Sequence, residues 1–267
     1  MIHETAQIHE TAVIAKSALI GENVQIGAYC VIGEGVSIGA ETVLESHVVV
    51  GSNTKIGHHN HIYPFASLGA NPQDKKFQAG DETWLEIGNH NTIREFVTFN
   101  RGTVQGGGLT KLGDHNWIMA NVHLAHDCIV GNHNVFANNA SLAGHVVVGD
   151  YVTFGGYALI YQFVRIGDLA MIAFSAGVKK NVPPFGLVEG YDAVMKGINA
   201  EGLKRHQYPE EEKRAIKLAH QALYHEGLLL TEARAKIEQL AKDSPAVEKI
   251  SAFIAQSDKR GLIRPSS

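Results

Sequence analysis

Bulky apolar residues recur at every sixth position along most of the chain. The series that begins at Ile2 holds twelve such positions without a gap, one that begins at Ile87 holds three, and one that begins at Leu112 holds twelve. Neither the 3.6-residue period of a helix nor the two-residue alternation of an amphipathic strand produces this spacing. The sequence therefore predicts a β-helix, in which each hexad contributes one short strand and one tight corner.

Small residues at the fifth place of the hexads are suited to fill the interior beside these apolar positions. They include Ala18, Val24, Cys30, Val36 and Ala66. Both cysteines of the chain, Cys30 and Cys128, occupy this fifth place. We therefore expect them to be core thiols rather than reactive groups.

The hexads resemble those of the hexapeptide-repeat acyltransferases, because an aliphatic residue is followed by glycine, as in IGENVQ and IGEGVS. The resemblance implies a left-handed parallel β-helix with three hexads in each triangular coil. Series of twelve, three and twelve hexads then make four, one and four coils, about nine in all. We assign residues 1–190 to this all-β domain.

A small C-terminal α-helical domain is predicted over residues 191–267, where the six-residue period stops. One helix is expected to have Pro209 in its first turn and to end near Gly227. Two more helices are predicted, over residues 231–243 and 244–257, and Ser244 is expected to cap the second of them. The simplest role of this domain is to cover the open end of the last coil.

Two long insertions interrupt the hexads, at residues 69–86 and 100–111. With three hexads per coil, each insertion follows the end of a coil, so both are expected to leave the same edge, one coil apart. Long loops that contain glycine are typical of lids and ligand clamps.

A candidate catalytic group lies beside these loops, in the segment VHLAHDCIVGNHN over residues 122–134. Residues 18 apart stack at about 4.8 Å in successive coils. His126 is thus predicted to lie beside Gly144, and Asp127 beside His145. A neutral imidazole can accept a proton from an alcohol near pH 7, and a backbone N–H at Gly144 could stabilise an oxyanion. No serine or free cysteine is placed as a nucleophile, which favours direct attack by an acceptor hydroxyl.

Other interpretations of these residues remain open at this point. His123 lies at the near end of the same face, and three histidines could instead hold zinc, as in the β-helical carbonic anhydrases. A metal-dependent hydratase is therefore a rival enzyme. Residues 57–62 and His90, His115 and His133 are interpreted as ordinary surface polar groups. Charges in the first loop, at Asp74, Lys75 and Lys76, would normally be solvated, although their position above the cleft favours a binding role.

The overall composition narrows the class of protein. A net charge of −4 leaves no basic excess for nucleic acid. Two cysteines suit a reducing cytoplasm. We find neither a signal peptide at the first residues nor an apolar run of about 20 residues that could span a membrane. The sequence therefore predicts a cytoplasmic protein that binds no nucleic acid and does not insert into the membrane.

A more specific resemblance comes from QDKK, NRGTVQGGGLTKLG, VHLAHDC, ANNASLAGHV, YQF, VPPF, GINAEGLKR and RGLIR, in this order. These motifs cover nearly the whole chain, which is similar to the UDP-N-acetylglucosamine O-acyltransferases of lipid A biosynthesis. The resemblance implies transfer of an (R)-3-hydroxyacyl group from acyl carrier protein to the glucosamine 3-hydroxyl. It also implies a homotrimer with active sites between neighbours. No metal or cofactor is expected, since the acyl donor is carried on the phosphopantetheine of acyl carrier protein.

The resemblance also implies roles for individual residues. His126 becomes the general base, Asp127 its partner and the Gly144 N–H the oxyanion donor. The residues expected to bind the sugar nucleotide are Gln73, Asp74, Lys76, His123, His145, Gln162, Asn199, Glu201 and Arg205.

Departures from the family pattern leave the choice of substrates open. Asn100 and Tyr161 each replace a histidine, so the acceptor could be a 3-amino analogue of the sugar nucleotide. Because of the same two residues, the protein could also be a non-catalytic scaffold that only binds nucleotide. Ala173 and Phe174 stand where many relatives have glycine, which favours a shorter acyl chain of about ten to twelve carbons.

Overall fold

The fold is described from a computed structural model of the chain, which describes residues 1–256 and 260–265. Its strands, in chain order, are β1 Gln7–Ile8, β2 Val13–Ile14, β3 Leu19–Ile20, β4 Gln25–Ile26, β5 Val31–Ile32, β6 Ser37–Ile38, β7 Val43–Leu44, β8 Val49–Val50, β9 Thr54–Ile56, β10 His61–Ile62, β11 Ser67–Ala70, β12 Trp84–Ile87, β13 Thr92–Ile93, β14 Thr98–Asn100, β15 Leu109–Leu112, β16 Trp117–Ile118, β17 His123–Leu124, β18 Ile129–Val130, β19 Val135–Phe136, β20 Ser141–Leu142, β21 Val147–Val148, β22 Thr153–Phe154, β23 Leu159–Ile160, β24 Arg165–Ile166, β25 Met171–Ile172, β26 Gly177–Val178, β27 Gly186–Glu189 and β28 Val194–Ile198. The helices are α1 Ala200–Arg205, α2 Glu210–Tyr224, α3 Leu230–Ala241 and α4 Pro245–Ala255, with one 3₁₀ turn at Val104–Gly106.

Every third strand joins the same sheet, so the chain winds as the predicted left-handed parallel β-helix. The first sheet begins β1-β4-β7, the second β2-β5-β8 and the third β3-β6-β9. Nine strands in the second sheet correspond to the nine predicted coils. Residues 18 apart pair directly, as in His123 with Ser141, which confirms the stacking register.

The predicted interior is the core of the β-helix. The apolar hexad positions from Ile20 to Val178 are buried, as are the fifth-place residues. The hexad positions before Ile20 are less buried: Ile8 and Ile14 are partly buried, and half of the surface of Ile2 is exposed at the open first coil. The thiols of Cys30 and Cys128 are buried and donate to backbone carbonyl oxygens, at 2.9 and 3.2 Å, so their assignment as core residues is confirmed.

Both loops are shorter than predicted, because the strands beside them continue past the last hexad position. The first connection runs only from residue 71 to 83, between β11 and β12. The second runs from 101 to 108, between β14 and β15. Since β11 pairs with β14 and β12 with β15, the two loops do leave one edge in adjacent coils.

Three edges separate the sheets, and each is a column of corners. The active edge joins the second sheet to the third and includes His126 and His145. The histidine edge joins the third sheet to the first and includes His90. The aromatic edge joins the first sheet to the second and includes Phe96. One residue per corner has positive φ, 55° at His90 and 59° at Phe96, so the corners force non-glycine residues into the left-handed region.

A ladder of buried asparagines holds the coils in register inside the histidine edge. The Asn60 side-chain oxygen accepts from the Asn91 N–H and side-chain amide, at 2.9 and 3.0 Å. Asn91 in turn accepts from Asn116 at 2.8 and 3.0 Å. These bonds satisfy backbone donors that the corners leave unpaired, which fixes the corner positions.

We expect Asn91→Ala to lower the free energy of unfolding by about 2–4 kcal/mol, because it leaves the buried donors of Asn116 without an acceptor. Asn138→Ala, an exposed asparagine, is the matched control and should cost less than about 0.5 kcal/mol. Denaturant unfolding of both variants measures the difference. Equal losses in the two proteins would show that the ladder does not stabilise the coils.

The C-terminal segment packs against the last coils. β27 continues the first sheet and β28 pairs with it in antiparallel fashion, a hairpin that the sequence had not predicted. Helices α2, α3 and α4 correspond to the three predicted helices, and Ser244 caps α4 by accepting from the Val247 N–H. Pro209 precedes α2 as its N-cap rather than lying in its first turn.

The helices share a second apolar cluster with Leu169 and Phe185 of the β-helix, so they cover the last coils as expected. None of the helices in the described ranges is both long and apolar enough to cross a membrane.

Candidate active site

The active edge places His126 and Asp127 side by side at one corner, between strands β17 and β18. His126 Nδ1 lies 2.8 Å from Asp127 Oδ2, and the side chains are 16% and 1% exposed. With the imidazole fixed through Nδ1, Nε2 is the nitrogen left for chemistry; it has no hydrogen-bond partner among residues 1–256 and 260–265. A carboxylate on one nitrogen holds the tautomer in which the other can accept a proton.

The second loop supplies the remaining partners of this carboxylate. Thr103 donates twice to Asp127, from its N–H to Oδ1 at 2.8 Å and from its hydroxyl to Oδ2 at 2.6 Å. The Asp127 N–H donates to the Thr110 hydroxyl at 2.8 Å. Asp127 is thus a buried carboxylate with both oxygens hydrogen-bonded, which fixes its position beside His126.

Two glycines are required by close packing around these side chains. A Cβ on Gly106 would lie 2.2 Å from the carboxylate carbon of Asp127. A Cβ on Gly144 would lie 2.7 Å from Cε1 and 2.9 Å from Nε2 of His126. Gly144 is buried and lets the imidazole pack directly on its backbone, and its N–H has no hydrogen-bond partner in the described part of the chain. That donor is available to a developing oxyanion.

We expect Thr103→Val to reduce kcat/KM by about tenfold to hundredfold, because the buried Asp127 loses the 2.6 Å hydroxyl donor while the backbone donor stays. Steady-state kinetics of the purified variant measure this loss. Thr92→Val, on the first sheet, is the control and should keep full activity. Unchanged kinetics in Thr103→Val would mean that the hydroxyl does not help to position the pair.

Two further histidines line the same face. His145 stands edge-on to His126, 5.1 Å between ring centroids, and its Nε2 lies 3.8 Å from Asp127 Oδ2. His123 Nδ1 lies 2.8 Å from the Thr98 hydroxyl oxygen. Burial lowers the pKa of both His123 and His145, so both are neutral at pH 7 and act as hydrogen-bonding groups rather than cations.

The first loop brings charged groups to this edge. Asp74 lies close enough to His145 for its charge to oppose the lowering of the histidine pKa, and its carboxylate accepts from the Lys76 N–H at 2.9 Å. Gln73 and Lys76 are exposed. The structure therefore brings Asp74 together with the catalytic pair and leaves the other two free to meet a ligand from solvent.

The upper end of the active edge is aromatic. Phe163 stacks on His145 at 4.4 Å, and Gln162 beside it is exposed. The guanidinium of Arg260 lies 5.0 Å from the ring of Tyr161 and 5.9 Å from that of Phe163. The C-terminal segment thus forms part of the wall of the cleft, a contact that the sequence had not predicted.

Asn199, Glu201 and Arg205 lie away from this cleft, around the short helix α1. Asn199 caps the helix by accepting from the Gly202 N–H at 2.9 Å, and Glu201 pairs with Arg205 at 2.9 Å. They line a cavity of about 680 Å³ that also borders the histidine edge. Within one chain these three residues and His126 therefore occupy different edges of the prism.

The residues that depart from the family pattern lie in different parts of the β-helix. Asn100 is 2% exposed, and its amide nitrogen donates to the Asn71 carbonyl oxygen at 3.0 Å. Ala173 and Phe174 lie on the aromatic edge, where Phe174 is 69% exposed and its ring centroid is 6.0 Å from that of Tyr157.

The zinc interpretation has a geometric basis, but the bonding of the carboxylate disfavours it. Ligand atoms of His126, Asp127 and His145 all lie within 4.8 Å of one another, whereas His123 does not join this group. However, both Asp127 oxygens already accept from Thr103. That the enzyme uses no metal stays a prediction.

Burial raises the pKa of the Cys128 thiol to about 12, which excludes it as a nucleophile at neutral pH.

The sequence had not assigned a role to the residues that position Asp127. Thr103, Gly106 and Thr110 reach it from the second loop and the strand after it, where the hexad count is interrupted. The available signal was the run of three glycines that follows Val104 and Gln105, because such a run is typical of a backbone that packs closely on another group.

A coiled stack of hexads that carries an oriented histidine beside a bare glycine N–H is the architecture of a hexapeptide-repeat acyltransferase. Consistent with this class, the bacterial transferase hexapeptide repeat matches residues 17–52, 29–64 and 109–144. The family described as "Udp N-acetylglucosamine O-acyltransferase; Domain 2" matches residues 181–263.

Comparison with known proteins identifies the family within this class. The chain is 54% identical to the acyl-[acyl-carrier-protein]--UDP-N-acetylglucosamine O-acyltransferase of Neisseria gonorrhoeae, over 96% of this chain and 99% of that one. It is 49% identical to the enzyme of the same name from Thiobacillus denitrificans, over 97% and 100%. The solved UDP-N-acetylglucosamine acyltransferase of Francisella novicida superposes with a TM-score of 0.89 at 40% identity, over 100% and 95%. The chain belongs to the UDP-N-acetylglucosamine O-acyltransferase family.

Proposed function

We propose that the protein transfers an (R)-3-hydroxyacyl group from acyl carrier protein to the 3-hydroxyl of UDP-N-acetylglucosamine, the first step of lipid A biosynthesis. The observation that carries this proposal is the His126–Asp127 pair, with its carboxylate buried and fully bonded and Nε2 of the imidazole left without a partner. The names of relatives about half identical over nearly the full length support the same reaction and an oxygen acceptor. Two buried, unpaired thiols suit the reducing cytoplasm, where we place this reaction.

The chemistry follows from the groups at the active edge. Nε2 of His126 takes the proton of the sugar 3-hydroxyl as its oxygen attacks the thioester carbonyl carbon. The Gly144 N–H donates to the oxyanion that forms. Collapse of this intermediate breaks the carbon–sulfur bond, and the proton passes from His126 to the departing phosphopantetheine sulfur. The products are the sugar ester and free acyl carrier protein thiol, and the enzyme needs no cofactor of its own.

Binding of the sugar nucleotide requires more than one chain in this proposal. Asp74, His145 and Gln162 lie at the active edge and His123 on the strand that leads into it, whereas Asn199, Glu201 and Arg205 border a cavity next to another edge. A homotrimer in which the active edge of one subunit faces helix α1 of the next would unite the two groups. We therefore place Gln73 and Lys76 at the sugar and pyrophosphate, and the α1 residues at the uridine end.

A buried polar side chain beside the cleft, Asn100, could contact the sugar group that receives the acyl chain. The Asn100 side-chain oxygen is buried and has no hydrogen-bond partner in the described residues. The amide nitrogen donates to the Asn71 carbonyl oxygen, and this bond fixes the orientation of the amide and leaves its oxygen free to accept. A sugar 3-hydroxyl or 3-amino group could donate to it, and an unpaired buried acceptor is costly until one does. Asn100 therefore replaces the family histidine without removing a contact to the acceptor.

The acceptor is tested by offering UDP-N-acetylglucosamine and its 3-amino analogue in equal amounts with (R)-3-hydroxyacyl carrier proteins. Mass spectrometry distinguishes the two products, and Asn100→Leu removes the buried oxygen. We expect the ester as the main product and a fall of about tenfold or more in its formation with Asn100→Leu. Amide as the main product would replace the hydroxyl acceptor by the amino one. No product with either acceptor, with nucleotide binding intact, would favour the non-catalytic scaffold.

Phe174 is proposed to limit the length of the acyl chain. Its ring lies 3.4 Å from where a Cβ on Gly156 would stand, so it covers this part of the surface. We expect Phe174→Gly to shift the preferred donor to chains longer by about two to four carbons, because the blocking ring is removed. Rates with donors of graded length measure the shift. Phe96→Gly, which removes an exposed ring from the same edge, is the control; an unchanged preference in Phe174→Gly would refute this role.

A further inference from the structure

The histidine edge carries a column of rings that the acyltransferase mechanism does not use. His59, His90, His115 and His133 stack with centroids 4.7–4.8 Å apart, and Tyr151 continues the column at 4.7 Å. Each histidine occupies the corner residue with positive φ, between 53° and 57°. One coil repeat therefore sets the spacing of the imidazoles, as it sets the spacing of the strands.

At the N-terminal end of this column, a third imidazole joins two of the stacked rings. His58 stands edge-on to His59 at 5.0 Å and to His90 at 5.1 Å, while His59 and His90 stack at 4.8 Å. One nitrogen of each of the three rings lies within 4.8 Å of the others, and all three residues are exposed. A carboxylate is close by, with Glu41 Oε2 at 3.5 Å from His59 Nδ1.

The backbone beneath these rings is rigid. The Asn60 side-chain oxygen accepts from Asn91 at 2.9 and 3.0 Å, which ties the two corners together. The His58 N–H donates to the Asn89 side-chain oxygen at 2.9 Å, which fixes the third ring to the next coil. Bonds of about 2.1 Å to a tetrahedral ion require nitrogens about 3.4 Å apart. Rotation of the exposed side chains, at low cost, is enough to reach that spacing.

We propose that His58, His59 and His90 form a surface site for a borderline divalent transition-metal ion such as zinc. Three imidazoles on a fixed backbone are the donor set that such ions prefer and that magnesium and calcium do not. Glu41 beside Nδ1 of His59 would leave Nε2 of that ring for the metal. A carboxylate commonly orients a histidine ligand in this way. Water would complete the coordination. The bound ion would join two adjacent coils, and within one chain it would lie on a different edge from His126.

The test uses the full-length, untagged oligomer, stripped of metal with a chelator and titrated with zinc by calorimetry. His90→Asn and His58→Ala each remove a ligand. Asparagine tolerates the positive φ at residue 90, so the corner itself is preserved. His47→Asn makes the same change at a corner of the aromatic edge, where φ is 62°, and His145→Asn disrupts the alternative cluster at the catalytic pair.

We expect one zinc ion per protomer in the wild type, His47→Asn and His145→Asn, and an affinity lower by about tenfold or more in His90→Asn and His58→Ala. Cobalt, used in place of zinc, should give the visible spectrum of a tetrahedral complex only in the proteins that retain all three histidines. No saturable binding by the wild type, or unchanged affinity in His90→Asn, would overturn the proposal. Loss of binding in His145→Asn alone would move the metal to the catalytic cleft.

Discussion

Replacing His126 by alanine is expected to lower kcat by about 10³-fold, within the range that general-base catalysis contributes. The loss follows because no other described group near the acceptor can take its place. His145 is edge-on to His126 and makes only a long, 3.8 Å contact to the orienting carboxylate. Initial rates of acyl transfer, measured at saturating donor and acceptor, give kcat directly.

The matched control is His47→Asn, which changes an exposed histidine on the aromatic edge and should leave the rate unchanged. Both variants should bind the sugar nucleotide with near wild-type affinity, because substrate contacts are shared among many residues. A His126→Ala enzyme that retains more than about a tenth of the wild-type rate would remove His126 from the chemistry.

Replacing Asp127 by asparagine is expected to lower kcat by about 10²–10⁴-fold while the cleft keeps its shape. Asparagine can accept through one atom only, so its NH₂ group must face either the Thr103 backbone N–H, in the place of Oδ1, or His126 Nδ1, in the place of Oδ2. If it faces the histidine, the imidazole takes the tautomer with a proton on Nε2 and can no longer act as a base. Removing the negative charge also withdraws the stabilisation of the imidazolium that forms during transfer.

Rates and urea unfolding should be measured together for Asp127→Asn, because its 1% exposed carboxylate also stabilises the second loop. Asp150→Asn is the control for stability alone, since Asp150 accepts from the Asn132 N–H at 2.7 Å at a corner far from the base. Reduced stability without a kinetic defect in Asp127→Asn would reduce the role of this residue to a structural one.

The repeating part of the fold could be predicted from the sequence almost residue by residue. Each hexad contributes one inward apolar side chain, so the period alone determines which residues are buried. A constant 18 residues per coil likewise determines which corners meet. That arithmetic placed His126 beside Gly144 and Asp127 beside His145, as the structure has them.

The insertions and the C-terminal segment could not be predicted in the same detail, because no period governs them. The contacts of Thr103 and Gly106 with Asp127 depend on the path of the second loop. Helix α1 is only six residues long and the β27–β28 hairpin has no repeat, so neither produces a clear pattern. Stacking of Arg260 over Tyr161 joins residues about a hundred positions apart, which only the folded chain reveals.

Direct transfer is the central claim, and a single-turnover experiment with rapid acid quenching tests it most directly. Excess enzyme would be mixed with labelled (R)-3-hydroxyacyl carrier protein and UDP-N-acetylglucosamine, and the label followed in the carrier, the enzyme and the sugar nucleotide. We predict that the 3-O-acyl sugar nucleotide appears at the rate at which acyl carrier protein loses its label, with none on the enzyme. Label that passes through the enzyme, or a sugar nucleotide that stays unacylated in correctly folded protein, would contradict the account.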